Sequence, residues 1–219
     1  MEKVIGYIPF MLEGSVMTVK LFVITLVLSL PLGLPFALGS NSRILPVKAL
    51  CRAYVWIFRG TPLLLQLFFF YFFFPLVLGL QISGFAAAVL TYVLNYAAYF
   101  AEIYRGGINS IDKGQYEAAH ALGLSRRQTM LDIIMPQTMK AILPPVVNEA
   151  ITLVKDTALA STLPIVELMK ATNSAVNGTT SMIPFFCAAA IYLIMTFVLT
   201  VLAGRLEKYF KRYDAKEEW

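Results

Sequence analysis

Charge, cysteine and histidine are scarce in this sequence, and each scarcity removes a class of function. Of 219 residues, 14% are charged (18 basic, 13 acidic) and 58% are hydrophobic. A soluble domain averages about 25% charged and about 45–50% apolar. A water-exposed surface needs more polar residues than this chain has. One histidine, His120, and two cysteines, Cys51 and Cys187, supply neither a metal-ligand set nor a disulfide framework. The same shortage leaves no nucleophile with a base beside it at membrane depth, which argues against a hydrolase. No G-x-x-x-x-G-K-[ST] phosphate loop occurs, nor any Gly-Lys pair, so nucleotide handling is expected to lie in another polypeptide.

What the chain does have is long apolar runs, and its mean hydropathy is +0.71. A helix crosses a hydrocarbon core of about 30 Å with roughly 20 residues, so this length holds about five spans in one all-α polytopic membrane domain, residues 1–219. The stretches that qualify are 15–38, 61–80, 84–104, 138–161 and 182–203, the fourth being the least hydrophobic. Segment 1–12 has one lysine and no small-residue cleavage pattern, so the first span is expected to be kept.

The basic residues fall to one side of this map. Arg43, Lys48, Arg52 and Arg59 lie between the first two spans; Arg105, Lys113, Arg126, Arg127 and Lys140 lie around the third connection; Arg205, Lys208, Lys211, Arg212 and Lys216 follow the fifth. The opposite connections hold Lys3 and Lys170. Because lysine and arginine collect in cytoplasmic loops, the N-terminus is expected outside and the C-terminus in the cytoplasm. The net charge of +5 then needs no nucleic-acid partner. Segment 44–58 is apolar enough to resemble a further span, but charges flank and interrupt it, and an amphipathic cytoplasmic segment is expected. Pro31 and Pro35 in the first span and Pro144 and Pro145 in the fourth predict kinks, since each removes a donor and crowds the preceding turn. Alanines at 86–88, 97–98 and 188–190 predict close helix packing.

The connection 105–136 is long and organised. Asp112 followed by Gln115 predicts a helix N-cap with its reciprocal partner, and Gly123 a left-handed stop, so a short helix is expected over 113–122. Ser125 and Gln128 repeat the capping spacing before Met130, Leu131, Ile133 and Ile134, which lead to Pro136. A helix this short and polar does not hold alone in water. It either docks on a soluble partner or rests on headgroups.

Glu117-Ala118-Ala119, then Gly123, then Ile133-Ile134-Met135-Pro136 resembles, at the expected spacing, the E-A-A loop of bacterial ABC importer permeases. Phe58-Arg59-Gly60-Thr61-Pro62-Leu63, Ala97-Ala98-Tyr99 with Ala101-Glu102, Arg105-Gly106-Gly107, Lys113-Gly114-Gln115, and Val154-Lys155-Asp156-Thr157 with Leu159-Ala160-Ser161 are similar to the polar amino acid branch of that family. Met135, His120 and Ala158 depart from its usual leucine, arginine and serine. The resemblance spans nearly the whole chain and implies a type I ABC importer permease fold in a bacterial cytoplasmic (inner) membrane, surrounded by lipid. It further implies two ATPase subunits that bind ATP and Mg, a second permease chain making a homodimer or heterodimer, and a separate extracytoplasmic amino-acid-binding protein. No metal or cofactor is expected in this chain. In the family the E-A-A loop sits in a groove of the ATPase, which makes Glu117, Ala118, Ala119, Gly123 and Leu124 the implied docking residues. The implied cargo is a polar amino acid, with cystine, glutamine and basic amino acids all open. An ion-coupled secondary transporter or channel would share the spans but has no use for such a loop.

Ionisable residues inside spans are expensive, and they mark function by default. In the fourth span Asn148, Glu149, Thr152, Lys155 and Asp156 fall at helical spacing on one stripe that cannot face lipid. A zwitterionic amino acid needs an acceptor for its ammonium, which Glu149 or Asp156 offers, and a donor for its carboxylate, which Lys155 offers. Asn148, Thr152 and Thr157 add neutral hydrogen bonds. The alternative is that Lys155 and Asp156 are paired within the bundle or across the dimer and fix an outer gate without touching substrate. Lys20 is expected to snorkel from the first span, and Glu102 to meet Arg105 or a dimer neighbour.

Overall fold

The computed structural model describes residues 5–211, and every element among them is helical. Lys3, Arg212 and Lys216 lie outside the described residues. Helix α1 (Ile8–Ser40) is followed by α2 (Leu45–Gly60), α3 (Leu63–Val77), α4 (Gly84–Ser110) and the short α5 (Lys113–Ala121). One turn of α6 (Arg126–Gln128) passes through a π-helical segment (Thr129–Ile134) into α7 (Met135–Asp156). A 3-10 segment (Thr157–Thr162), α8 (Leu168–Thr179) and α9 (Ile183–Lys211) complete the chain.

By length and composition, Ile8–Ser40, Gly84–Ser110 and Ile183–Tyr209 can each cross a membrane, and α2 with α3 can do so if that bent pair is counted as one span. The first, third and fifth expected spans therefore lie within longer helices. The second, 61–80, contains helix α3. Helix α3 has 15 residues, about 22 Å at about 1.5 Å per residue, too short for the core by itself. Its continuation is α2, from which it is bent by 108°. Segment 44–58 forms most of α2 and packs on the bundle. Tyr54 stacks on Phe36 of α1 at 3.9 Å between ring centroids and donates from its hydroxyl to the Leu94 carbonyl of α4 at 2.6 Å. The fourth stretch, 138–161, is also not one helix: it ends as α7 at Asp156 and tightens into the 3-10 segment, and its polar stripe keeps it below the apolarity of the other spans. Helical structure continues through Pro31, Pro35, Pro144 and Pro145.

Helix α4 is the centre of the bundle. Tyr92, Tyr96 and Phe100, four residues apart, form one buried stripe that packs with Leu21 and Phe22 of α1, Leu153 and Val154 of α7, and Leu163 beyond it. Its small residues allow close approach on the same helix: a Cβ placed on Gly33 of α1 would stand 2.9 Å from the Phe100 Cβ and 3.0 Å from the Ala97 carbonyl oxygen and the Ala101 nitrogen. Two of those atoms are backbone, which cannot rotate away. Helix α9 is peripheral and presents Phe186, Leu193 and Phe197 outward.

The bend between α2 and α3 has a specific cause. Pro62 has no N–H, so the Phe58 carbonyl loses its helical partner. The Asn95 side-chain amide of α4 donates to that carbonyl at 3.0 Å, and the Gln66 amide does so at 2.9 Å. Gln66 Oε1 in turn accepts from Asn95 Nδ2 at 2.9 Å, and Gln66 Nε2 donates to Thr61 Oγ1 at 2.7 Å. The corner is thereby bound to the middle of α4.

Gly33→Val is expected to destabilise the α1–α4 crossing by about 1–3 kcal/mol, the usual cost of overpacking a tight site. Thermal unfolding of the solubilised protein measures it; an unchanged midpoint would show that the two helices can separate at no cost.

Candidate functional site

Two regions hold the residues singled out from the sequence, the 105–136 connection and the polar stripe of α7. In the first, Asp112 caps α5 by accepting from Gly114 N–H at 2.6 Å. The expected reciprocal contact from Gln115 does not form, because the Gln115 side chain instead accepts from Gln137 Nε2 at 3.1 Å, tying α5 to the start of α7. At the other end Gly123 stands at φ +73°, and its N–H donates to the His120 carbonyl while Leu124 N–H donates to Ala119. This paired closure is the left-handed stop that glycine favours. Ser125 and Gln128 form the complete capping box.

Glu117 and Ala118 are exposed, Ala119 is buried, Gly123 is exposed and Leu124 is half-buried. Leu122 beside them is 77% exposed, an apolar side chain that water alone does not account for on so polar a helix. The π-helical turn that follows comes from Pro136. A proline there gives the Asp132 carbonyl no helical donor, and the chain widens until Met135 N–H reaches back to the Met130 carbonyl.

On α7 the stripe is open along one side: Asn148 and Lys155 are exposed, and Glu149, Thr152 and Asp156 are half-buried. Asp156 Oδ2 accepts from the Tyr96 hydroxyl at 2.8 Å, and its carbonyl accepts from the Tyr92 hydroxyl at 2.6 Å. The two tyrosines of the α4 stripe thus fix the end of α7. Thr152 donates to the Asn148 carbonyl, whereas Thr157 is wholly buried and donates to the Val154 carbonyl. The structure therefore removes Thr157 from the open stripe. Lys155 and Asp156 do not pair: among the described residues the ion pairs join Glu102 to Arg105 and to Arg59. Lys20 stands 5.3 Å over the Phe85 ring.

Residues 29–212 match the family model described as "Binding-protein-dependent transport system inner membrane component". The chain belongs to this family. It is 41% identical over 211 residues to the arginine transport system permease protein ArtQ of Bacillus subtilis (strain 168), covering 96% of each chain. It is 36% identical over 206 residues to the glutamine transport system permease protein GlnP of Escherichia coli (strain K12), covering 93% of this chain and 94% of that one. A solved structure titled "Crystal structure of an amino acid ABC transporter with histidines" superposes with a TM-score of 0.88 at 35% identity, covering 94% and 96% of the two chains. The type I importer permease fold and the amino acid ABC permease family follow. The protein is a permease subunit of an amino acid ABC importer, with multiple membrane-spanning helices.

The permease also holds a carboxylate that sequence reasoning passed over. Glu167 lies in the connection 162–181, which was read only as a loop, yet it is fully buried. It caps α8 by accepting from Met169 N–H at 2.8 Å and Lys170 N–H at 2.6 Å, and it accepts from Tyr192 of α9 at 3.3 Å. The available signal was weak: an acidic residue three before a lysine, followed by a helical run. Arg59 was read as a basic residue of its connection and as part of the Phe58–Leu63 motif, with no site role.

Burial pushes the Glu167 carboxyl above its ordinary 4.5, and the bonds from Met169, Lys170, Tyr192 and Thr18 oppose only part of that. A raised value means that the folded chain holds the proton more tightly than the unfolded one. The stability so contributed is complete below about 4.5 and is lost as pH rises through the raised value. Compared with Glu167→Gln, which cannot ionise there, the wild-type permease is expected to lose melting temperature steadily from acidic to neutral pH. A difference that stays constant with pH would show that folding leaves the proton affinity of this carboxyl unchanged.

Proposed function

We propose that this permease carries a polar amino acid into a bacterial cytoplasm across the inner membrane, driven by two separate ATPase subunits that dock on α5 and its flanking turn. It works with a second permease chain and an extracytoplasmic amino-acid-binding protein, and ATP with Mg is bound by the ATPases. In this reading the chain crosses the membrane about five times, N-terminus out and C-terminus in, as its basic residues favour. The observation that carries the docking is the exposed surface of a fully capped helix: Glu117, Ala118 and Leu122 face outward while Ala119 anchors the helix beneath them. A capped helix of nine residues presented in this way suits a groove in a partner.

The cargo passes along α7. Glu149 and Asp156 supply the acceptors for an ammonium group, with Asn148 and Thr152 adding neutral contacts and Lys155 at the rim. Two carboxylates on the open stripe favour an amino-bearing or cationic amino acid. ArtQ of Bacillus subtilis, named for arginine, is the relative that agrees with this. An ion-coupled carrier is disfavoured, because nothing in its mechanism uses a capped docking helix.

The test is ligand-stimulated ATPase activity of the complex reconstituted in lipid with its ATPase subunits and binding protein. Gly123→Pro forbids the φ of +73° and removes the N–H that closes α5. It is expected to abolish the stimulation while the spans stay folded, and full retention would place the coupling elsewhere. Glu149→Gln is expected to lower stimulation by about tenfold, the scale of one lost charge-assisted contact. Unchanged stimulation across arginine, glutamine and cystine would remove that carboxylate from the path.

A further inference from the structure

A cavity of about 560 Å³ opens where α2, the end of α1 and the end of α4 meet, and Arg52, Arg59, Tyr99, Glu102 and Arg105 line it. Its charges do not balance, with three guanidinium groups facing one carboxylate. Glu102 is already held by Arg105, through Nε at 2.9 Å and through a second contact from Nη2. Arg59 reaches Glu102 only at 4.0 Å, the limit of an ion pair, and Arg52 spends its Nε on the Ser40 carbonyl at 3.3 Å. A partner held so loosely in an open site contributes little and is readily exchanged.

Arg59 is placed to make that exchange. It ends α2 at the corner that Gln66 and Asn95 bind to α4, so its backbone is fixed. Its guanidinium lies over the Tyr99 ring at 5.2 Å, which steadies the plane while leaving the N–H edge free. The Tyr99 ring beneath it lies 6.1 Å, centroid to centroid, from Tyr96, whose hydroxyl holds Asp156 of the stripe at 2.8 Å. Gly60 next to it has nothing within 4 Å of a Cβ position, so the space is open.

Resting on the reading that amino acids pass along α7, we infer that Arg59 binds the substrate's α-carboxylate while Glu149 or Asp156 takes the ammonium. Lys155 is adjacent to Asp156 in sequence, so it projects about 100° round the same helix and is exposed. Arg59 comes from another element, and its planar fork matches a carboxylate through two parallel hydrogen bonds. An arriving carboxylate displaces Arg59 from its weak contact with Glu102. On release toward the basic end of the bundle, Glu102 takes it back.

The permease–ATPase complex in lipid nanodiscs, without binding protein, tests this by direct binding of two matched pairs. These are L-arginine against agmatine and L-glutamine against 4-aminobutanamide, each amine lacking only the carboxylate. Wild type is expected to prefer an amino acid over its amine by about tenfold or more, the scale of a charge-assisted pair. Arg59→Gln should bring the amino acid down to the affinity of the amine and leave the amine unchanged; Arg59→Lys should restore part of the preference. Asp156→Asn should weaken both members of a pair. If Arg59→Gln keeps the full preference, the inference fails and the α7 pathway stands. If wild type binds neither amino acid, or Asp156→Asn and Glu149→Gln leave both members unchanged, the pathway reading fails and takes the inference with it. Should neither Arg59 variant assemble, wild type decides alone: equal binding of L-arginine and its methyl ester overturns the inference, and a preference for the free acid upholds it.

Discussion

Wherever a helix of this bundle is broken, a side chain or a neighbouring turn replaces the backbone hydrogen bond that the break removes. In an apolar interior no water is at hand to do so, and an unpartnered carbonyl or N–H costs several kcal/mol in such surroundings, on the order of a whole helix cap or more. Two breaks follow this rule. Pro62 orphans the Phe58 carbonyl, which Asn95 and Gln66 then satisfy. At Pro136, an exposed position, the chain instead widens into a π turn that closes on Met130. The free N–H groups of α8 find the Glu167 carboxylate.

The same replacements tie the elements into one machine. The Asn95 and Gln66 contacts hold the α2–α3 corner to α4, which sets Arg59 beside Tyr99. The tyrosines of α4 fix Asp156 on α7. Gln115 and Gln137 join the docking helix to the base of α7, the helix that carries the polar stripe. Under the docking proposed above, a push on α5 would act first on α7, the helix that carries the stripe.

Polar groups are distributed by the same economy. The Tyr96 hydroxyl already serves Asp156, so that carboxylate has one oxygen engaged and one available. Glu102 is engaged by Arg105, which leaves Arg59 under-partnered. By contrast Glu167 is saturated and enclosed, and belongs to the scaffold of α1, α8 and α9.

Local chemistry was legible in the sequence wherever it was settled within a few residues. The long apolar runs, the Ser125 capping box, the Gly123 stop and the Glu102–Arg105 contact, three residues apart on one helix, all depend on near neighbours, and the E-A-A spacing carried the family. Contacts between distant residues were not legible. The Asn95–Gln66–Phe58 knot joins positions far apart in the chain, so the 108° bend between α2 and α3 was not foreseen. Gln115 was assigned to its own helix cap because the competing partner, Gln137, lies across a turn. Thr157 was offered as a further neutral contact, and the tightening of the chain after Asp156 buries it. Asp156 was offered as a partner for Lys155 or for a group elsewhere, and within the chain it is the Tyr96 hydroxyl that engages it. The sequence by itself determined the helices, their caps and their apolar length, because those obey local periodicity and backbone satisfaction. Only the tertiary structure decided which charges face one another, because that depends on where a proline bend sets Arg59 and where two buried tyrosines hold Asp156.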